Sequence, residues 1–591
     1  KPFIPSGCLA EWKDGVWNVV RRNQFTEVTG PGGIEGNPRP DTDPIWSLGW
    51  DHRSVMLYVL DGGKWSFYRL PKSSHSYDGA HGWNTEWPRI RAVGERDLLA
   101  TMHGSFWRFP RDFDTHHAAG IRPRSSYLKV IGDFARWQDR LVFGCDDTAK
   151  SEFLNTRAAK GKIAGPGQSQ SNLWFVEPDQ IDQLGPILGR GGVWVDEPVT
   201  ANTPSDPYLF AGYRNRGLHL AQKGTQPLVI TLEVDADGTG GWKALRDVTV
   251  PAGGSIWVGF DRNDRGEWIR LRPHADAAGV TAWFAYRGDD RRRTTADAMF
   301  AGLAPISAKD ALAGRVRTRG DNLRTLALTT DTDYYELGAD MRLKKLDDAA
   351  AADYSRQNTK VPEGILSVDA ASVIYTDDDG VRWRLPRGDK AFDEVTGRGL
   401  LRISREVATE RDLFNAHGTF YELPAENAGG FAKVRPIATH NRRIADYCSY
   451  RGMVVLTGLL PDARGSHIVR SADGKAAVWL GAVDDLWKLG KPVGHGGPWL
   501  DTPVKAGQVS DPYLMTGYDR KTLTLSHDRN QPLTVRVEVD ATGDGHWMTY
   551  RSFTLTNREP VTYEFPEAFN ATWLRVSVDH DATVSAQLAY E

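Results

Sequence analysis

The sequence predicts an all-β protein, namely a seven- or eight-bladed β-propeller built from two sequence-repeated halves and carrying two β-sandwich (jelly-roll-like) modules. Short β-type runs such as 55–60 and 227–232 recur along the 591 residues, and a Gly or Asp turn follows each. Gly (60), Pro (32) and Trp (21) are plentiful, while long helical periodicity is rare. This composition is typical of propellers, barrels and sandwiches.

An internal repeat gives the two halves. The segment SDPYLFAGY at 205–213 recurs as SDPYLMTGY at 510–518, and EVDADGTGGW at 233–242 recurs as EVDATGDGHW at 538–547. Both pairs keep one offset of 305 residues (510 minus 205). Upstream, HGSFWRFP at 103–110 recurs as HGTFYELP at 417–424. Self-similarity of this kind indicates a duplicated architecture.

Each half is predicted to have two parts. Residues 1–190 and 300–490 hold four hydrophobic strand clusters each, and their spacing of about 40 residues is that of propeller blades. Residues 193–289 and 497–591 each hold several alternating strands and an Asp/Gly turn, which is typical of a β-sandwich. Four plus four clusters favour one propeller carrying two sandwiches, and two separate smaller propellers are the alternative.

Composition and charge exclude several classes of function. Lys plus Arg (73) nearly balances Asp plus Glu (76), and the main basic run is 291–293. Nucleic-acid binding needs a clustered basic face, so we expect no nucleic-acid partner. No apolar stretch approaches the roughly 18 residues of a membrane span. Three cysteines without metal-binding spacing predict neither a disulfide framework nor a zinc site, and we expect no cofactor.

The first residue, Lys1, is not Met. We therefore expect the mature form of an exported protein, either secreted or periplasmic. The oligomeric state stays open at this point.

Comparison of the two copies points to a site in the first half. From Arg69 to Glu95 they align without gaps at an offset of 315 (384 minus 69), and Arg69 and Asp78 are kept as Arg384 and Asp393. Kept positions are expected to hold the loop in shape. The first copy alone carries His75, Tyr77, His81, Trp83, Glu86, Trp87 and Arg89, which the second copy replaces by Lys390, Phe392, Thr396, Arg398, Leu401, Arg402 and Ser404. Ordinary divergence of a surface loop is the alternative.

Three further segments have features of a functional or structural site. The Gly-rich stretch 24–33 contains Glu27 and has no counterpart in the second half, so it is either a ligand loop or a tight turn. His103 recurs as His417, which favours a structural histidine. The segment 235–238 has the start of a calcium loop but lacks its later ligands, so we interpret it as a turn.

These residue types suit a sugar, whose C–H faces stack on aromatic rings while placed polar groups bind its hydroxyls. Hydrolysis of a glycosidic bond needs two carboxyl groups, for which Glu86 and Glu27 are predicted and Asp78 is the substitute. A uronate lyase would instead use a His or Tyr base and a cation at the uronate carboxylate. The catalytic candidates are Glu86, Glu27, His75 and His81, and the substrate-binding candidates are Tyr77, Asp78, Trp83, Trp87, Arg89, Arg69, Lys72 and His103.

In its blade-like spacing, aromatic turns and appended sandwiches, the chain resembles propeller carbohydrate-active enzymes. No sialidase-type Ser-x-Asp-x-Gly-x-x-Trp box is present, so no catalytic residue is carried over from a family. The resemblance implies a carbohydrate partner and a glycoside hydrolase acting on a plant or microbial polysaccharide or oligosaccharide. A polysaccharide (uronate) lyase and a non-catalytic glycan-binding propeller are the two alternatives, since fold analogy alone does not determine function.

Overall fold

A computed structural model describes residues 7–76, 78, 86–149, 168–319, 325–408 and 411–591, without the side chains of 148, 149 and 168–170. Strands make up 49% of the structure and helices 7%. The predicted all-β class is therefore confirmed. The described helices are α1 (Ala349–Asn358) and short 3-10 helices at Gly33–Glu35, Pro178–Gln183, Ala298–Phe300, Lys390–Glu394, Glu426–Ala428, Gly430–Lys433 and Val483–Leu489.

The first half begins with a hairpin followed by three antiparallel meanders, because short alternating runs are separated by Gly and Asp turns. The hairpin is β1 (Cys8–Lys13) and β2 (Val16–Arg22). The meanders are β3 (Gln24–Thr29), β4 (Ile45–Trp50), β5 (Val55–Asp61) and β6 (Lys64–Leu70); β7 (Arg89–Arg91), β8 (Leu98–Met102), β9 (Ser105–Phe109) and β10 (Arg122–Ser126); and β11 (Ile131–Trp137), β12 (Arg140–Ala149) and β13 (Gln168–Val176).

Two four-stranded sheets follow, in the orders β14-β21-β16-β19 and β18-β17-β20-β15, and they bury a shared apolar core. Their strands are β14 (Leu188–Val199), β15 (Tyr208–Leu209), β16 (Asn215–Ala221), β17 (Leu228–Asp235), β18 (Trp242–Val250), β19 (Ser255–Phe260), β20 (Trp268–Pro273) and β21 (Ala277–Arg287). We call this pair of sheets the first sandwich module.

The second half has four small antiparallel sheets. They are formed by β22 (Arg315–Thr318), β23 (Leu326–Thr329), β24 (Tyr334–Leu337) and β25 (Leu343–Leu346); β26 (Leu366–Val368), β27 (Val373–Thr376) and β28 (Arg382–Leu385); β29 (Ser404–Ala408), β30 (Arg411–Ala416), β31 (Thr419–Pro424) and β32 (Arg435–Thr439); and β33 (Tyr447–Tyr450), β34 (Met453–Leu456), β35 (Ile468–Arg470) and β36 (Ala477–Gly481).

The second sandwich module repeats the strand order of the first, as β37-β44-β39-β42 and β38-β43-β40-β41. Its strands are β37 (Gly494–Val504), β38 (Tyr513–Leu514), β39 (Lys521–His527), β40 (Leu533–Asp540), β41 (Trp547–Leu555), β42 (Val561–Glu564), β43 (Trp573–Val578) and β44 (Ala582–Tyr590). The internal repeat of the sequence is thus a repeat of structure.

Each sandwich module is joined edge to edge to a meander, which explains why two distant motifs recur together. In the first half β15 pairs in parallel with β6 through Tyr208 and Arg69, and in the second half β38 pairs with β28 through Tyr513 and Arg384. The Arg69 guanidinium also contacts Asp206 at 2.8 Å. The Arg-Leu-Pro and Ser-Asp-Pro-Tyr motifs therefore meet at one joint in each copy.

The small sheets stack face to face through apolar side chains. In the first half β3–β6 packs on β7–β10, which packs on β11–β13. In the second half the stack runs β26–β28, β29–β32, β33–β36 and β22–β25. Within the described ranges no closed ring of sheets is detected, so the seven- or eight-bladed propeller stays a prediction.

Candidate functional site

Three of the predicted residues converge on the carboxylate of a fourth, Asp78, in the loop after β6. The Lys72 Nζ lies 2.5 Å from Asp78 Oδ1, and the His75 Nδ1 lies 2.6 Å from Asp78 Oδ2. His103 Nε2 lies 3.2 Å from Asp78 Oδ1. His103 reaches this position because the β8–β9 hairpin turns through His103 (φ 45°) and Gly104 (φ 75°), the left-handed conformation that tight hairpins need.

Burial sets the charge states in this cluster. It lowers the pKa of His75 to about 3 and that of His103 to about 4, so both imidazoles are neutral at pH 7. Burial alone would raise the pKa of Asp78, but the positive charge of Lys72 and contacts with the two histidines hold it well below its usual range. An ionised carboxylate thus lies between one ammonium group and two neutral rings.

The second copy keeps the frame of this cluster. Asp393 contacts Arg387 at 2.5 Å and His417 at 2.8 Å, so these three residues occupy the places of Asp78, Lys72 and His103. His75 is the member of the cluster that the second copy lacks, because Lys390 stands at the equivalent position.

Arg69 belongs to a similar shared frame. Its guanidinium contacts Asp51 at 3.0 Å and Asp206 at 2.8 Å, and Arg384 contacts Asp369 at 2.8 Å and Asp511 at 2.9 Å. Because both copies build the same two ion pairs, Arg69 holds the sandwich module on its meander.

Glu86 is a buried carboxyl group next to this cluster. The Tyr127 hydroxyl donates to its Oε1, and the Gly104 N–H lies 3.4 Å from the same oxygen. Burial raises the pKa of Glu86 to about 7. In the second copy Leu401 replaces Glu86. His440 occupies the position of Tyr127, because the His440 N–H donates to the Gly418 carbonyl just as the Tyr127 N–H donates to the Gly104 carbonyl.

Glu27, Arg89 and Trp87 form a second group. The Glu27 carboxylate contacts Arg89 at 3.1 Å and Arg91 at 2.5 Å, and the Arg89 guanidinium lies 5.0 Å from the centre of the Trp87 ring. Trp87 is 44% exposed. The structure therefore places Glu27 with two guanidinium groups and Glu86 with Tyr127, in different clusters. Tyr77, His81 and Trp83 lie outside the described residues.

A buried ionic junction between the halves was not predicted. Ser76 Oγ donates to Glu422 at 2.6 Å, Arg411 contacts Glu422 at 3.0 Å, and Ser74 and Arg435 contact the same carboxylate. Burial alone would raise the pKa of Glu422, but Arg435 and Arg411 hold it far below its usual range. The sequence contained one signal of this junction. Glu422 aligns with Arg108 of the first copy, so the two copies carry opposite charges at this position.

The turn at Asp235 is closed by backbone hydrogen bonds. Gly238 N–H donates to Asp235 Oδ1 at 3.1 Å and Gly240 N–H to Oδ2 at 2.9 Å. Asp540 accepts from Gly543 and Gly545 in the same way. In the described part of the chain no group of three or more His, Cys, Asp or Glu side chains is arranged for a metal ion. None of the described helices is long and apolar enough to cross a membrane.

No protein-family model matches this chain, and no curated protein matches it. Three solved structures to which it has some similarity are PirA (16% identity, 17% of this chain and 83% of PirA, TM-score 0.11), the PBSX exported protein XepA (8%, 71% and 90%, 0.12) and oxalate decarboxylase from Bacillus subtilis (9%, 68% and 68%, 0.13). At these TM-scores the likenesses carry no argument about fold or function.

Proposed function

We propose that this protein is a glycoside hydrolase in which Glu86 donates a proton to the leaving group, with its small sheets arranged as propeller blades. The observation that carries the proposal is that the surroundings of two carboxyl groups shift their pKa values in opposite directions. Burial raises the pKa of Glu86 to about 7, while Asp78 is held ionised. An acid and a carboxylate with separated pKa values are what glycoside hydrolysis requires.

The two carboxyl groups are connected through adjacent residues. His103 contacts Asp78, and the next residue, Gly104, contacts Glu86. Asp78 is proposed as the carboxylate partner of Glu86 in preference to Glu27, because Glu27 lies in a separate cluster with Arg89 and Arg91. The second copy keeps Asp393 but has Leu401 in place of Glu86, so the proposal gives the chain a single hydrolytic site.

Trp87 supplies the sugar-facing surface in this proposal. Its half-exposed ring follows Glu86 directly in the chain and offers an apolar face for a pyranose ring. Glu86 itself is 1% exposed, so substrate binding must uncover its carboxyl group before proton transfer.

The test is a panel of purified polysaccharides and oligosaccharides, with release of reducing ends and absorbance of unsaturated uronate recorded together. Wild type is expected to release reducing ends, and Glu86→Gln and Asp78→Asn to lose this activity. The matched control is Asp393→Asn, which alters the same frame in the second copy and should keep the activity. Full activity in Glu86→Gln would contradict the proposal.

The neutral imidazole of His75 favours polysaccharide lyase activity as the second candidate. Burial lowers its pKa to about 3, so the ring is unprotonated at pH 7. Its Nδ1 lies 2.6 Å from the Asp78 carboxylate, which would stabilise the imidazolium formed when the ring accepts a proton. New uronate absorbance that disappears in His75→Ala would support the lyase.

Glycan binding without catalysis is favoured by one other feature. The exposed rings of Trp12 and Trp17 lie 5.3 Å apart on the β1–β2 hairpin and form an aromatic surface. Retention on immobilised glycans without any product, lost in Trp17→Ala, would support this candidate.

A further inference from the structure

A small, partly open cavity lies where the two halves and the two sandwich modules meet. Its volume is about 20 Å³, which is room for a species between a water molecule and a small anion. Arg190, Arg287, Arg292 and Arg435 line it, together with the carboxylates of Asp290 and Asp519.

Two of these arginines are neutralised by the two carboxylates. Arg292 contacts Asp290 at 2.7 Å, and Arg287 contacts Asp519 at 2.5 Å. The positive charge that remains on the cavity wall therefore belongs to Arg190 and Arg435.

Arg435 has donors left over. Its side chain is buried, with 2% of the residue exposed, and its Nε contacts Glu422. Glu422 is shared with Arg411, and within the described residues neither Nη1 nor Nη2 of Arg435 has a hydrogen-bond partner. Buried guanidinium groups that lack acceptors are unfavourable, because transfer from water removes their hydration.

Arg190 faces the same cavity from the first half. It is 7% exposed, and its Nη1 donates to Thr516 Oγ1 at 3.3 Å. Burial, and then the positive charge of Arg435, lower its pKa to about 10. The hydroxyl of Tyr286, also in the cavity wall, has no hydrogen-bond partner among the residues that the structure describes.

We propose that this cavity binds one small monatomic anion, of chloride or bromide size, between the guanidinium groups of Arg190 and Arg435. Guanidinium donors favour such anions, and the neighbouring ion pairs leave these two groups to hold it. In the second copy His495 occupies the position of Arg190. The Lys72 N–H donates to the Arg190 carbonyl, and the equivalent Arg387 N–H donates to the His495 carbonyl. One anion is therefore bound per chain.

The anion also links parts of the chain that are far apart in sequence. Arg190 lies on β14, Arg435 on β32, and Thr516 just after β38. A ligand that binds only when these elements are docked stabilises the docked state by mass action. This stabilisation is measured without any hydrolase activity, so the two proposals can fail separately.

The test measures the Tm of the full chain in a buffer with a bulky organic counter-ion, titrated with chloride or bromide. We expect a saturable rise in Tm for wild type and loss of this rise in Arg190→Met. Arg190→Lys should keep part of it, because the charge remains without the planar fork of donors. The control Arg356→Met removes a cation from α1 and should leave the saturable rise unchanged.

Crystals grown with bromide give an independent readout. An anomalous bromide peak between Arg190 and Arg435 would support the site. An unsaturable salt effect that is equal in wild type and Arg190→Met, or a water molecule alone in the cavity of bromide-grown crystals, would overturn the proposal.

Discussion

Glu86 combines complete burial with a polar partner, and its protonation is coupled to folding. The folded-state pKa of about 7 lies above the ordinary value of 4.5. The folded protein therefore keeps a proton that the unfolded chain releases, and the free energy of unfolding falls as pH rises from 4.5 to 7. A shift of this size corresponds to about 3 kcal/mol.

We expect Glu86→Gln to remove this decline, since an amide of the same shape does not titrate. Urea unfolding at about pH 5 and about pH 8 gives the free energies of unfolding of wild type and of Glu86→Gln. The fall in this free energy between the two pH values should be larger in wild type than in the variant. Glu564→Gln, at an exposed position of β42, is the control and should keep the pH dependence of wild type. Parallel pH profiles for Glu86→Gln and wild type would contradict the expected coupling.

Glu422 is predicted to be the most sensitive carboxylate of the junction between the halves. Glu422→Gln leaves the buried guanidinium groups of Arg411 and Arg435 without their shared anion, which should cost about 3–5 kcal/mol in the free energy of unfolding. Chemical denaturation measures this loss. The comparison is Glu538→Gln, whose carboxylate contacts Arg575 at 2.8 Å near the surface and whose loss should cost about 1 kcal/mol or less.

At the residue scale, comparison of the copies selected residues that the structure brings together. Lys72, His75, Asp78 and His103 meet at one carboxylate, and Glu86 lies beside them. The same comparison also selected Glu27 and Arg89, which form a separate group. A residue's absence from one copy does not show which side chains it contacts in the other copy. Glu422 and Arg190 were missed, since their roles depend on contacts between the halves.

At the scale of single elements, each Asp/Gly turn of the sandwich modules supports a neighbouring meander. The backbone of Gly238 is left-handed (φ 75°), and an added Cβ would lie 2.2 Å from the Ala118 carbonyl oxygen. The nearby Trp268 indole donates to the same carbonyl at 2.5 Å. In the second copy the Trp573 indole donates to the Ala432 carbonyl at 2.6 Å, beside Gly543.

Gly238→Ala should therefore be more destabilising than Gly240→Ala. Both substitutions place a Cβ on a left-handed residue, at a cost of about 1–2 kcal/mol, but Gly240 has no atom within 4 Å of the added Cβ. The additional destabilisation of Gly238→Ala over Gly240→Ala measures the contact between the turn and the Ala118 loop. Thermal unfolding of both variants measures it, and equal Tm values would show that this contact contributes nothing.

The all-β class and the strand type of particular runs could be predicted from the sequence. The runs at 55–60 and 227–232 are strands Val55–Asp61 and Leu228–Asp235, because alternating and β-branched side chains favour strands locally. The edge pairing of β15 with β6 could not be predicted, since it joins residues that lie 139 positions apart in the sequence (208 minus 69).

At the scale of the whole molecule, buried polar contacts connect the halves. Asp484 accepts from the backbone N–H groups of Leu128 at 2.8 Å and Lys129 at 3.0 Å, and His219 contacts the Asn570 carbonyl at 2.8 Å. Contacts of this kind do not form in a separated half. The two halves are therefore expected to unfold together.

Calorimetry should show one principal unfolding transition for wild type and an earlier or split transition for Asp484→Ala. The substitution leaves two buried N–H groups without an acceptor, at a cost of about 1–3 kcal/mol each. Asp179→Ala is the matched control, because Asp179 is the exposed residue 305 positions earlier (484 minus 305). An unchanged transition in Asp484→Ala would mean that the docking of the halves does not depend on this carboxylate.

The sequence by itself determined the all-β class, the duplication and the loop in which the copies differ, because strand propensity, turn residues and repeats are local properties of the chain. Only the tertiary structure decided which carboxyl groups are buried, which ion pairs they form and which apolar faces are covered. Burial and pairing depend on contacts between elements distant in sequence. The protonation of Glu86, the ionic junction at Glu422 and the Arg190–Arg435 cavity all follow from such contacts.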